Sequence, residues 1–170
     1  AATGVFLLEA SDLSLGAVSV ATQYLSSDLT MATLSDAARS GLVVTGSGPI
    51  VIDLSDGSLA VDQAVAAIGG GNIRLAALAT NRDIAINQAV SSGGGAISIL
   101  ADRHITQAAA GDISTTGATI DVRAMDGSIT MNDGALSQSA GGAIRYLAGL
   151  DILLGGIDSG SALTSVTATA

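Results

Sequence analysis

The chain has 170 residues, enough for one domain with a sizeable core, and 48% are hydrophobic although only 2% are aromatic. A formal charge of −9 with no lysine at all excludes a basic surface for nucleic-acid phosphates or anionic lipid. The absence of cysteine excludes a disulfide framework and a thiolate metal site, and no apolar run reaches the 18 residues of a membrane-spanning helix.

The rest of the composition points to strands and turns. Fourteen of the fifteen acidic residues are Asp, a turn former, and only Glu9 is a helix former. Glycine occurs 22 times and proline once, as Pro49. A core of Ile, Val, Leu and Ala, with Phe6, Tyr24 and Tyr146 as the only rings, suits a narrow and uniform interior. The chain begins AATGVFLLEA, with neither an initiator Met nor a signal peptide, and reads as a processed product or a piece of something longer.

In chain order, the first element is a repeat unit. GVFLLEASDLSLGAV (Gly4 to Val18) aligns without a gap on AIRYLAGLDILLGGI (Ala143 to Ile157). The alignment matches Val5 with Ile144, Leu7 with Tyr146, Asp12 with Asp151, Leu13 with Ile152 and Val18 with Ile157. Residues 19–47 are irregular and read as one broken coil with an outward insertion. SSDLTM (Ser26 to Met31) resembles a second strand with Asp28-Leu29 at its turn. TLSDAARSG (Thr33 to Gly41) reads as a short helical or loop excursion, with Ser35 or Asp36 as N-cap and Gly41 as terminator. LVVTG then resumes a strand.

Residues 48–160 repeat one unit five times. The leading apolar residues Ile50, Ile73, Ile97, Ile120 and Ile144 are spaced 23, 24, 23 and 24. That regularity marks a solenoid. Each unit carries three short strand signals. The first is Ile-x-apolar, as in Ile73-Arg74-Leu75. The second includes Leu59, Ile84, Ile129 and Ile152. The third is centred on Val65, Val90, Ile113, Leu136 and Ile157. Period-2 alternation turns apolar residues inward and Arg, Ser, Asp or Thr outward. Three strands in about 23 residues leave room only for turns, which is the arithmetic of an all-β, three-sided parallel β-helix. The expectation is a single β-solenoid domain over 1–170 with six to seven coils. Ile50, Ile73, Ile97, Ile120 and Ile144 form one inner column, and Ile84, Ile129 and Ile152 belong to a second. Gly70-Gly71, Gly94-Gly95 and Gly141-Gly142 fall at corners that need positive φ. Neither end shows an amphipathic cap.

No residue pattern points to catalysis, a cofactor or a metal. Asp56, Asp83, Asp102, Asp126 and Asp151 recur before the second strand, but the nine-residue GGxGxDxUx period of calcium solenoids is absent, so they read as caps of their own turns. His104 is the only histidine and reads as a solvent-facing turn residue, because no nucleophile context or HExxH accompanies it. The best cluster for a glycan-binding or glycan-cleaving β-helix is Asp121, Arg123 and Arg145 on the outside of the first strand face, without lysine or aromatic surface to support it.

The units GGAISILADRHITQ and GNIRLAALATNRDIAINQAV resemble the coils of filamentous-haemagglutinin-type bacterial surface adhesins, built on G-x-I-x-[ILV]-x-A-x-x-[DN]-[IL]. The unit here is longer than that family's commonest repeat, and the NPN-type motifs of its secretion domain are missing. The resemblance implies a right-handed β-helical stalk, export across a Gram-negative envelope, and an extracellular or cell-surface location. The expected role is non-enzymatic: rigidity, length and contact with a host or neighbouring cell. The expected partners are neighbouring repeats of the same or a longer chain, stacked head to tail, with no nucleic acid and no membrane insertion. A filament self-assembled by such stacking is the alternative, and a glycan-active β-helix the third.

Overall fold

The computed structural model describes residues 3–169; residues 1, 2 and 170 of the expected 1–170 domain lie outside the described residues. The chain winds as an all-β solenoid of about six coils, and no helix occurs among the described residues. The first coil contains β1 (Val5–Glu9), β2 (Leu13–Ser14), β3 (Ala21–Leu25), β4 (Met31–Ser35) and β5 (Leu42–Val44).

Three parallel sheets form the walls. Face A has seven strands: β1, Ile50–Leu54, Ile73–Ala77, Ile97–Ala101, Ile120–Ala124, Ile144–Ala148 and Thr164–Ala168. Face B has six, starting from β2 and continuing through Leu59–Val61, Ile84–Ile86, Ile105–Gln107, Ile129–Met131 and Ile152–Leu153. Face C has six, starting from β5 and ending at Gly156–Asp158. Each strand pairs with its equivalent one coil away, so the backbone of every coil is satisfied by its neighbours.

The register makes the columns. Val5, Ile50, Ile73, Ile97, Ile120 and Ile144 stand one above another on face A, and the five isoleucines are essentially inaccessible to water. Face B stacks Leu13, Leu59, Ile84, Ile105, Ile129 and Ile152; Ile152 at the end of the stack is only partly buried. Burial of each such side chain contributes roughly 1.5–3 kcal/mol, which a lone coil lacks the surface to obtain.

The paired glycines serve two distinct needs. Gly141 takes φ +117 at the corner from face C to face A, whereas Gly142 has an ordinary φ. A Cβ on Gly142 would run into the Ala118 carbonyl one coil away. One glycine turns the chain and the next lets two coils approach.

Three expectations are corrected here. The segment Thr33–Gly41 is not helical: β3 and β4 pair antiparallel as a hairpin inserted between faces B and C, with Leu29 at φ 66 in its turn. Asp28 builds that turn, its carboxylate accepting from the Thr30 backbone N–H and hydroxyl. Val18 does not share the column of Ile157; it bridges Arg39 at the base of the hairpin, and Leu42 takes the face C position instead. Finally, Leu136 is not the inward residue of its strand. Ile113 pairs with Ser137, which is fully buried, while Leu136 is turned to the half-buried side.

Candidate functional site

The slip at Ser137 is explained by a ring. Tyr146 occupies the inner column that Ile52, Leu75, Ile99 and Val122 fill in other coils, and it is completely buried. Its hydroxyl needs partners inside. It donates to Gln107 Oε1 at 3.0 Å and accepts from the Ser137 hydroxyl at 2.6 Å. Gln107 Nε2 donates in turn to the Leu136 carbonyl at 3.2 Å. Burial pushes the Tyr146 hydroxyl up to about 12. A serine inside and a leucine outside follow from satisfying this phenol. The network joins faces A, B and C within the core.

A second polar feature runs down the corner before face B. The Ser58 N–H donates to Asp12 at 2.7 Å, the Asp83 N–H to Ser58 at 3.2 Å, and the His104 N–H to Asp83 at 2.9 Å. The series continues from the Ser128 N–H to His104 Nδ1 at 3.0 Å and from the Asp151 N–H to Ser128 at 3.3 Å. Each side chain therefore accepts from the backbone of the next coil. His104 is half-buried rather than solvent-facing, because its ring is an acceptor in this column with the proton on Nε2. The recurrent Asp residues serve more than their own turns. Asp56 does cap its own Gly57 N–H, but Asp83 reaches forward one coil and Asp102 reaches back to the Asn81 N–H. Hydrogen bonding from Arg103, with the His104 N–H and the Arg103 charge adding to it, holds the Asp83 carboxyl below the usual carboxylate range despite partial burial.

A third column caps the glycine corners. Ser92 and Thr115 are buried and donate to the Gly71 and Gly95 carbonyls of the preceding coil, each at 2.8 Å; the buried Ser139 donates instead to the Gly142 carbonyl of its own corner. These hydroxyls recur one or two residues before the next glycine. That spacing was the available sequence signal for them.

The charged cluster on face A comes together only in part. Asp121 and Arg145 are register partners and form a two-pronged ion pair, with Nε and Nη2 each 2.8 Å from a carboxylate oxygen. The pairing raises the Arg145 guanidinium further above its ordinary value. A shallow depression of about 330 Å³ lies beside them, bounded by Ser98, Thr119, Asp121, Ala143 and Arg145. Arg123 is absent from that lining. It stands in the next outer column between Leu100 and Leu147, with a buried Nε that finds no hydrogen-bond partner among the described residues. A carboxylate clamped by a guanidinium is poorly placed to take a proton from a substrate. Three similar pairs, Asp53–Arg74, Asp56–Arg82 and Asp83–Arg103, also join consecutive coils. All four are partly exposed, and each contributes about 0–1 kcal/mol, so they guide register more than they stabilise.

Among the described residues no group of three or more His, Asp or Glu side chains is arranged to hold a metal ion, and no helix is long and apolar enough to cross a membrane. No protein-family model, no curated protein and no solved structure matches the chain. What is established is the fold. The chain is a β-solenoid of stacked repeats.

Proposed function

We propose that this solenoid is a non-enzymatic structural segment of a bacterial extracellular fibre or adhesin stalk, supplying rigidity, length and contact at the cell surface. The observation that carries this reading is where the polar chemistry goes. The corner column from Asp12 to Asp151, the Ser92 and Thr115 hydroxyls at the glycine corners and the four Arg–Asp pairs all join one coil to another. A side-chain inventory devoted to coil-to-coil contacts suits a rod. The coil residues that resemble haemagglutinin-type stalks point the same way, and neighbouring repeats are the partners this reading implies.

Six coils at ~4.8 Å per coil make a rod about 30 Å long. Solution X-ray scattering should report an axis of that order for the isolated chain, lengthening by about 4.8 Å for each coil added. Deleting the coil 73–96 from the protein that carries it should shorten its fibre by one repeat without abolishing assembly. A glycan array or lyase assay that gives a signal lost in Asp121→Ala and Arg145→Ala would overturn the reading in favour of a glycan-active surface.

A second reading, head-to-tail stacking into filaments, is favoured by exposed inner-column residues such as Leu7 in the first coil and Val166 in the last face A strand. Geometry resists it in one respect. A copy stacking in register on faces B and C would set its own β1 where Thr164–Ala168 lies. Filaments should therefore form more readily after truncation at residue 161, and electron microscopy of the truncated and intact chains separates the two readings.

A further inference from the structure

The hairpin of β3 and β4 is the only antiparallel sheet among the described residues, and it stands off the solenoid. Every residue of its two strands is exposed except Ala32. Val20, Tyr24, Leu25, Met31 and Leu34 are each more than half exposed. A two-stranded sheet left alone in water is marginal; a third strand or a packed face is needed for independent stability. Exposed edges are normally guarded by lysine, proline or charge. Neither strand contains any of these.

The hydrogen-bond phase identifies what the free edge offers. The Asp36 N–H donates to the Val20 carbonyl at 2.9 Å, and the Ser26 N–H to the Thr30 carbonyl at 2.8 Å. By alternation, Thr22 and Tyr24 spend their backbone groups on β4, whereas Ala21, Gln23 and Leu25 turn theirs outward. On β4 the outward set is Met31, Thr33 and Ser35.

We propose that β3 is an edge for strand addition whose partner is the β3 strand of a second copy of this chain, running antiparallel about a two-fold axis at Gln23. The outward set of β3 is self-complementary about that axis. Ala21 meets the second copy's Leu25, Gln23 meets its own equivalent, and Leu25 meets Ala21. The β4 edge fits less well, since a two-fold at Thr33 sets the apolar Met31 against Ser35, whereas Ala21 and Leu25 are both apolar. Charge selects the same place. Two chains of −9 repel each other, but from Ala17 to Ser35 the only charged residue is Asp28 at the hairpin turn. Pairing makes a four-stranded sheet, closes both β3 edges and gives an isologous dimer. Two rods are then joined sideways through their first coils, a contact that is independent of end-to-end stacking and of the stalk reading.

The test is sedimentation velocity over a concentration series, with three kinds of variant. The wild-type chain should form a dimer. Gln23→Pro removes an outward N–H without touching the hairpin's own ladder, and should weaken the dimer by about tenfold or more. Thr33→Pro does the same on the opposite edge and should leave the dimer intact. Because the chain has no cysteine, Gln23→Cys should cross-link to its symmetry mate on mild oxidation, while Thr33→Cys should not. A wild-type chain that stays monomeric throughout overturns the proposal. So does a dimer that persists in Gln23→Pro and yields no Gln23→Cys cross-link, and so does equal loss in both proline variants.

Discussion

Tyr146 is the only aromatic side chain in the buried core, and its behaviour in alkali is the clearest single-residue test of the structure. Its hydroxyl is raised from 10.0 to about 12, chiefly by burial. A group raised in the folded state contributes stability that is fully present below its unfolded value and is lost as pH rises through the folded one. The shift of two units corresponds to roughly 3 kcal/mol, present below about pH 10 and gone above about pH 12. Urea unfolding followed across that window should show the loss, and absorbance should resolve Tyr146 ionising well above the ordinary tyrosine value of 10.0. Tyr146→Phe should flatten the alkaline loss and cost about 1–3 kcal/mol at neutral pH, because Gln107 and Ser137 keep their polar groups without the phenol. A Tyr146 that ionises at the ordinary tyrosine value of 10.0 would sink the buried network. The ring was visible in the sequence as a member of the apolar alternation. Its need for a hydroxyl partner, which draws Ser137 inside in place of Leu136, depends on a neighbour from another face of the coil.

At the scale of the strand, alternation was enough to assign faces because side chains in extended chain point to opposite sides with period 2. Ile97 and Ser98 are adjacent, yet one is in the core and the other lies in the outer column between Arg74 and Asp121. Ile97→Asp should cost more than about 4 kcal/mol by burying an unpaired charge, while Ser98→Asp should stay within about 0.5 kcal/mol. Thermal melts of the two variants decide it, and equal effects would mean that the faces are reversed. The element that the sequence left open between a short helix and a loop is the hairpin. Ser35, Asp36 and Gly41 carry the local signals of a short helix, but these are weak against the ladder that forms once Asp28 closes a turn. ATQYL and MATLS also alternate only loosely, because neither face of the hairpin is buried and nothing forces a pattern on it.

For the molecule as a whole, the solenoid and the hairpin are separable. No residue of β3 or β4 belongs to the buried core. Replacing residues 19–38 with a short linker should leave the far-UV circular dichroism of a β-solenoid and shift the melting temperature by only a few degrees, the change expected of about 1 kcal/mol. A collapse of the melting transition on excision would show that the hairpin braces the first coil.

Repeat length, inner columns and three-sided winding were determined by the sequence alone, through Ile50, Ile73, Ile97, Ile120 and Ile144 and their alternating neighbours. In a stack each residue's environment is set by its equivalent one period away, so periodicity is already tertiary information. What only the three-dimensional structure decided is the joining of Gln107, Ser137 and Tyr146 across the period, the hydrogen bonds that His104 makes to Asp83 and Ser128 within its column, and the open edge of β3. The first links residues that share no repeat position, and the other two depend on which backbone groups are left unpaired; neither is written in spacing.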